Sequence, residues 1–219
     1  MKMALKTHGI TKETPTNLLL GAGAFYKNLK YIEGRTEVET VTDEDGVETT
    51  VENVIEGRWE EEGVIGATTG GGTIRIEPEY LQPEIDGASV AVRGLTFKVG
   101  EVASIEVTLA ELSKDVLKDT LHLREESTTA EGYTKLISAK QIDESDHLDS
   151  IGYVGTLADG RQIIFILPNA ICKGALEMNP QNKQTASYAV TFEASATFEQ
   201  ESLDYLPYEI YYPEYLPTI

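Results

Sequence analysis

Residues 103–109 read Ala-Ser-Ile-Glu-Val-Thr-Leu. In an extended chain Ala103, Ile105, Val107 and Leu109 point one way and Ser104, Glu106 and Thr108 the other, because successive strand side chains alternate between faces. This period of two predicts a strand half-buried against a core. The same period recurs on both sides of it. Ile74 and Ile76 alternate with Arg75 and Glu77, and Leu95, Phe97 and Val99 follow a turn at Gly94. In TASYAVTFEAS (185–195), Tyr188, Val190 and Phe192 alternate with Ala189 and Thr191. The run QIIFIL (162–167) is continuously apolar, as a strand covered on both faces requires. Turn residues punctuate these runs: DEDG at 43–46, DG at 86–87 and ADG at 158–160.

One segment breaks the period. In LSKDVLKDTLHL (112–123), Val116, Leu117 and Leu121 fall on one helical stripe. Ser113 stands where an N-cap belongs and Asp115 lies in the first turn, where a negative charge meets the helix dipole. The spacing predicts one helix of about three turns packed on a β framework. The fold class is therefore mainly β with a single helix.

The 219 residues suffice to bury a substantial core, and 41% of them are hydrophobic. The charge is far from balanced: 18 Lys and Arg face 37 Asp and Glu, a formal net charge of -19. Such a surface repels phosphate backbones, which argues against tight nucleic-acid binding. The single cysteine, Cys172, sits in an apolar run and reads as a buried structural thiol. No stretch approaches the ~20 apolar residues of a membrane span, nor has the N-terminal segment the apolar core of a signal peptide. The expectation is a protein made in the cytoplasm, with no membrane partner.

Two regions stand apart. Between Arg35 and Glu62 lie Glu37, Glu39, Asp43, Glu44, Asp45, Glu48, Glu52, Glu56, Glu60, Glu61 and Glu62, against Arg35 and Arg58 alone. β-branched alternation around DEDG predicts a long protruding acidic hairpin over about 35–62. The C-terminal EQESLDYLPYEIYYPEYLPTI sets Tyr205, Tyr208, Tyr211, Tyr212 and Tyr215 among Pro207, Pro213 and Pro217. Prolines at that spacing exclude a helix and favour an extended strap whose tyrosines dock on a surface.

Motifs for chemistry are weak. The cluster Gly70-Gly71-Gly72 has no following lysine and runs into strand sequence, whereas a phosphate loop opens a helix. A flexible linker is equally poor there, which leaves a close backbone approach. His8, His122 and His147 are scattered without metal-ligand spacing. Asp143, Glu144, Asp146 and Asp149 cluster, but the glycine and distal glutamate of a calcium loop are missing. No catalytic motif is found, and no cofactor or metal is expected.

Several segments in order resemble a known family: TNLLLGAGAFYKNL (16–29), GATTGGGTIRIEPEY (66–80), EIDGASVAVRGLTFKVGEVASIEVTLAELS (84–113), NAICKGALEMNPQNK (169–183) and LPYEIYYP (206–213). Together they are similar to the major tail tube proteins of tailed bacteriophages and prophages of Gram-positive bacteria. The resemblance implies a β-barrel or sandwich with a flanking helix, shared with type VI secretion tube proteins. It divides the chain into a tube domain at 1–198, carrying the hairpin, and a strap at 199–219. It implies a non-enzymatic virion protein whose copies form rings, usually of six, stacked into a hollow tube that conducts DNA during ejection. Nothing in the sequence recognises a contractile sheath, and a long non-contractile tail is the expectation over a contractile one.

Implied partners are other copies and further tail proteins, namely tape measure, tail terminator and baseplate; DNA would pass an acidic lumen without tight binding. A monomeric head–tail or baseplate adaptor sharing the fold is the alternative. Gly66, Gly70, Gly71, Gly72 and Thr73 then become a seam loop between subunits. Asp45 and Gly46 at the hairpin tip, with Tyr208, Tyr211 and Tyr212 on the strap, complete the expected interface.

Overall fold

A computed structural model describes residues 10–42, 48–84, 86, 90, 92–174, 176–178, 180, 182–183, 185–197 and 207–214. The chain begins with β1 (Leu19–Lys27), β2 (Lys30–Ile32), β3 (Arg35–Thr42), β4 (Glu48–Ile55), β5 (Arg58–Glu60) and β6 (Gly63–Val64). Two long strands follow, β7 (Thr68–Leu81) and β8 (Phe97–Leu109), then α1 (Lys114–Leu121). The remainder is β9 (Leu123–Glu126), β10 (Lys135–Ser138), β11 (Leu148–Leu157), β12 (Gln162–Cys172), β13 (Tyr188–Ala194) and β14 (Glu209–Tyr211). The protein is mainly β, built on one large antiparallel sheet in the order β6-β1-β11-β12-β13-β8-β7, with β14 added on β12.

The core lies where period-two strands face one another. Ile105, Val107 and Leu109 of β8 are buried, and β13 pairs alongside with Val190 opposite Val107 and Phe192 opposite Ile105. Together with Ile151 and Leu167 they form the innermost layer. The continuous run in β12 is covered on both faces, as expected. Leu167, Ala170 and Cys172 join the main core, while Ile164 and Ile166 pack with Leu29 in a second cluster bordered by Tyr26 and Val154. Cys172 is buried, and desolvation raises its thiol pKa. The ADG turn joins β11 to β12, with Gly160 at φ +89, which glycine adopts at little cost.

The helix begins as its sequence predicts: the Ser113 hydroxyl accepts a hydrogen bond from the Val116 amide at 3.2 Å. It is shorter than expected, eight residues, because His122 turns left-handed (φ 52) and closes the last turn onto the Lys118 carbonyl. Val116 and Thr120 are its buried residues, and Leu117 and Leu121 only half-buried. The Thr120 hydroxyl donates to the Val116 carbonyl at 2.7 Å, so no buried hydroxyl is left without a partner there.

The acidic segment is a hairpin. Strands β3 and β4 pair from Arg35 opposite Ile55 to Thr42 opposite Glu48, and β2 pairs with β5 at the base, from Lys30 opposite Glu60. Both ladders are two-stranded sheets separate from the main one. The hairpin thus starts at Lys30, earlier than the acidic run suggests. Its tip, including Asp45 and Gly46, lies outside the described residues, as do Gly87, His8, Tyr205, Tyr215 and Pro217.

Candidate functional site

The main sheet curls until two strands far apart in its order, β1 and β7, approach each other, and glycines make the approach possible. On β1 the partners step from Leu20 opposite Thr156 to Ala24 opposite Val154, four residues against two. Strand β7 does the same, from Thr68 opposite Leu109 to Gly72 opposite Val107. Both strands therefore carry a bulge. The extra residues are absorbed at positive φ by Gly21 (+80) and Gly23 (+68) on β1, and by Gly70 (+74) and Gly71 (+77) on β7. A Cβ built on Gly71 would sit 3.7 Å from the Ala22 Cβ. On Gly72 it would drive into the Phe25 ring and stand 2.8 Å from the Glu106 carbonyl oxygen; on Gly23 it would stand 2.6 Å from Tyr153 Cζ.

These glycines clear space for an internal aromatic row, Phe25 and Tyr153 with ring centroids 5.1 Å apart and Tyr153 and Phe165 6.2 Å apart. Burial raises the pKa of the Tyr153 hydroxyl. An apolar cleft of about 380 Å³ lies between Leu19, Gly72, Ile74, Ile76, Tyr153 and Phe165. Four of the five residues expected in a seam loop lie in a strand instead. Gly70, Gly71, Gly72 and Thr73 belong to strand β7, and within the chain Gly71 faces Ala22 and Gly72 faces Phe25, both on β1. Only Gly66 lies in a connection, at φ +140 beside Glu111.

Beyond the curled body, β7 and β8 continue as a two-stranded arm, from Pro78 opposite Glu101 to Leu81 opposite Phe97. Strand β13 pairs with β8 only from Ser104 onward. Tyr80, Leu81, Phe97, Val99 and Val102 each keep 48–61% of their surface exposed. Leu18, Leu19 and Leu20 at the start of β1 are exposed to a similar degree. In the sheet order β7 is a terminal strand, so its outer backbone groups offer a template for a further strand.

Tyr208, Tyr211 and Tyr212 have partners in their own chain. Strand β14 pairs with β12, Ile164 opposite Tyr211 and Ile166 opposite Glu209, occupying the flank that β13 leaves. Tyr208 packs against the main core and Tyr212 reaches Asn17 at 3.4 Å. Arg161 donates to the Pro213 carbonyl at 2.7 Å. The Tyr211 ring meets Trp59 edge-on, centroids 4.8 Å apart, and Tyr31 at 6.3 Å; Tyr31 and Trp59 themselves lie 5.1 Å apart. Sequence reasoning passed over Tyr31 and Trp59: Tyr31 lies before the predicted hairpin at 35–62, and only the β2–β5 ladder makes the two a cross-strand pair. It also passed over Gly21-Ala22-Gly23, whose small residues beside an apolar run match Gly70–Gly72.

Asp143, Asp146 and His122 belong to a structural network around Arg124. Arg124 on β9 grips Asp146 through both oxygens, at 2.6 and 2.7 Å, and reaches Asp143 at 3.2 Å. That guanidinium holds the Asp146 carboxyl at a pKa of about 2, helped by the Asp143 amide and opposed by burial. His122 Nε2 lies 2.9 Å from the Cys172 carbonyl oxygen. Arginine thus fills the place that a calcium ion would need beside Asp143 and Asp146. Among the described residues no three metal-ligating side chains converge, and no helix is long and apolar enough to cross a membrane.

A polar groove of about 480 Å³ runs between α1 and β6, where Lys27 pairs with Asp119 at 2.9 Å. Burial works to lower the Lys27 pKa, but the Asp119 contact outweighs it and the net shift is upward. No protein-family model matches the chain, and no curated protein matches it.

Proposed function

We propose that this chain is a structural subunit that self-assembles into stacked rings, forming the tail tube of a bacteriophage or prophage. The observation that carries this reading is the β7–β8 arm, whose apolar side chains stay exposed while the strand beside them ends the sheet. Exposed apolar surface on a terminal strand is poorly suited to a monomer and well suited to a neighbour's sheet. The segments resembling tail tube proteins supply the identity of the assembly, which the arm alone does not specify. A net charge of -19 agrees with a conduit that DNA traverses without sticking. The tube domain would be the curled sheet with α1 on its flank, and the acidic hairpin would reach a stacked ring.

Electron microscopy of the concentrated protein, paired with light scattering after size exclusion, tests this. Hollow tubes or rings are the expected result. A monodisperse monomer at every concentration would sink the proposal and return the adaptor alternative.

A further inference from the structure

The Tyr31–Trp59–Tyr211 cluster joins two parts that nothing in the chain order brings together: the base of the acidic hairpin and the C-terminal strap. We infer that the strap is a latch that sets the direction of the acidic hairpin, so that docking of β14 and orientation of the hairpin are one coupled equilibrium. Both halves are short. Strands β2 and β5 are three residues each and pair only with one another, too short for independent stability. Strand β14 is also three residues long and pairs with β12, with Tyr208 against the core and Arg161 on the Pro213 carbonyl at its two ends.

The chain narrows beyond the base at Gly34 and Gly57, where a Cβ on Gly34 would stand 2.8 Å from the Gly57 nitrogen. A side chain there would force the two strands apart. The three rings remain 37–42% exposed, so they form a surface clasp open to water and able to separate. The Tyr211 hydroxyl donates to Glu209 within the strap. Whatever lifts the strap removes one of the three rings that hold the hairpin base. By linkage, whatever moves the hairpin loosens the strap by the same factor.

Trp59 is the only tryptophan, so its fluorescence reports this clasp directly. The test compares the full chain with Tyr211→Ala, Tyr211→Phe and Trp59→Ala, kept dilute so that association plays no part. Tyr211→Ala is expected to red-shift Trp59 emission and to raise amide exchange across 30–32 and 58–60 about five-fold, at the lower end of typical coupling. Tyr211→Phe keeps the ring and is expected to behave as the parent. Trp59→Ala is expected to raise exchange at 209–211 by a matching factor. The latch is overturned if Tyr211→Ala leaves emission and hairpin exchange unchanged, or if Trp59→Ala leaves the strap protected. Should Tyr211→Ala lose its cooperative melt, Tyr211→Leu, which keeps apolar bulk without an aromatic ring, replaces it under the same two criteria.

Discussion

The two halves of β8 carry the same pattern and meet opposite fates. From Ala103 to Leu109 the apolar residues are at most 1% exposed; at Phe97 and Val99 the same alternation leaves about half the side-chain surface in water. Both halves pair with β7. The difference lies in the second neighbour and in the layer beneath. The inner half has β13 beside it and Ile151 and Leu167 within the same core, whereas among the described residues the outer half pairs with β7 alone. Alternation therefore reports that a segment is a strand with an apolar face. It does not report whether this chain contains the surface that covers that face.

The largest effect that can break the comparison is a cavity in the inner half. Phe192→Ala, opposite Ile105, is expected to cost about 3–5 kcal/mol in urea unfolding, because a fully buried ring is removed from a packed layer. A loss under about 1 kcal/mol would mean that the inner half is no better covered than the outer. Next comes the glycine seam. Gly72→Val is expected to cost about 1–3 kcal/mol of monomer stability, since its side chain collides with Phe25 and the Glu106 carbonyl. A variant that melts like the parent yet fails to associate would place the crowding between subunits instead.

Acid sharpens the contrast away from the seam. The Asp146 carboxyl is held at about 2, below its ordinary value of 3.8, so its contribution is fully present above pH 4 and fades as pH falls toward 2. Melting temperature should decline through that window, and Asp146→Asn should flatten the decline while lowering the neutral-pH value. An acid limb identical in the two proteins would assign the loss to other carboxylates. The smallest effect belongs to the outer half. Phe97→Ser is expected to change monomer stability by under about 0.5 kcal/mol while shifting association, read by light scattering, to higher protein concentration. A monomer destabilised as much as by a core substitution would show that the arm is covered within its own chain.

Much of this molecule was legible in order of residue. The period of two marked β7, β8 and β13, the unbroken apolar run marked the two-sided β12, and Ser113 marked the start of α1. Each is a local property, set by where consecutive side chains point or by which side chain can cap an amide. The end of α1 was not legible, because a left-handed histidine is one of several ways to stop a helix.

The glycines show the boundary between the two kinds of knowledge. Three in a row announced that a backbone would pass closely, since only glycine leaves that space and tolerates positive φ. What passes is β1, about fifty residues earlier in the chain, where Ala22, between the positive-φ Gly21 and Gly23, faces Gly71. The partner was invisible in sequence because the sheet must curl before Ala22 and Gly71 are neighbours at all. The same holds for Tyr211 on Trp59 and for Arg124 on Asp146, pairings made across the fold. Sequence by itself determined that β7, β8, β12, β13 and the β3–β4 hairpin are strands, where the helix starts and how acidic the whole must be, but not β1, β9, β10 or β11, whose patterns are less regular. Tertiary structure alone decided which strand faces are covered, because burial depends on what other segments arrive and no local period encodes an arrival.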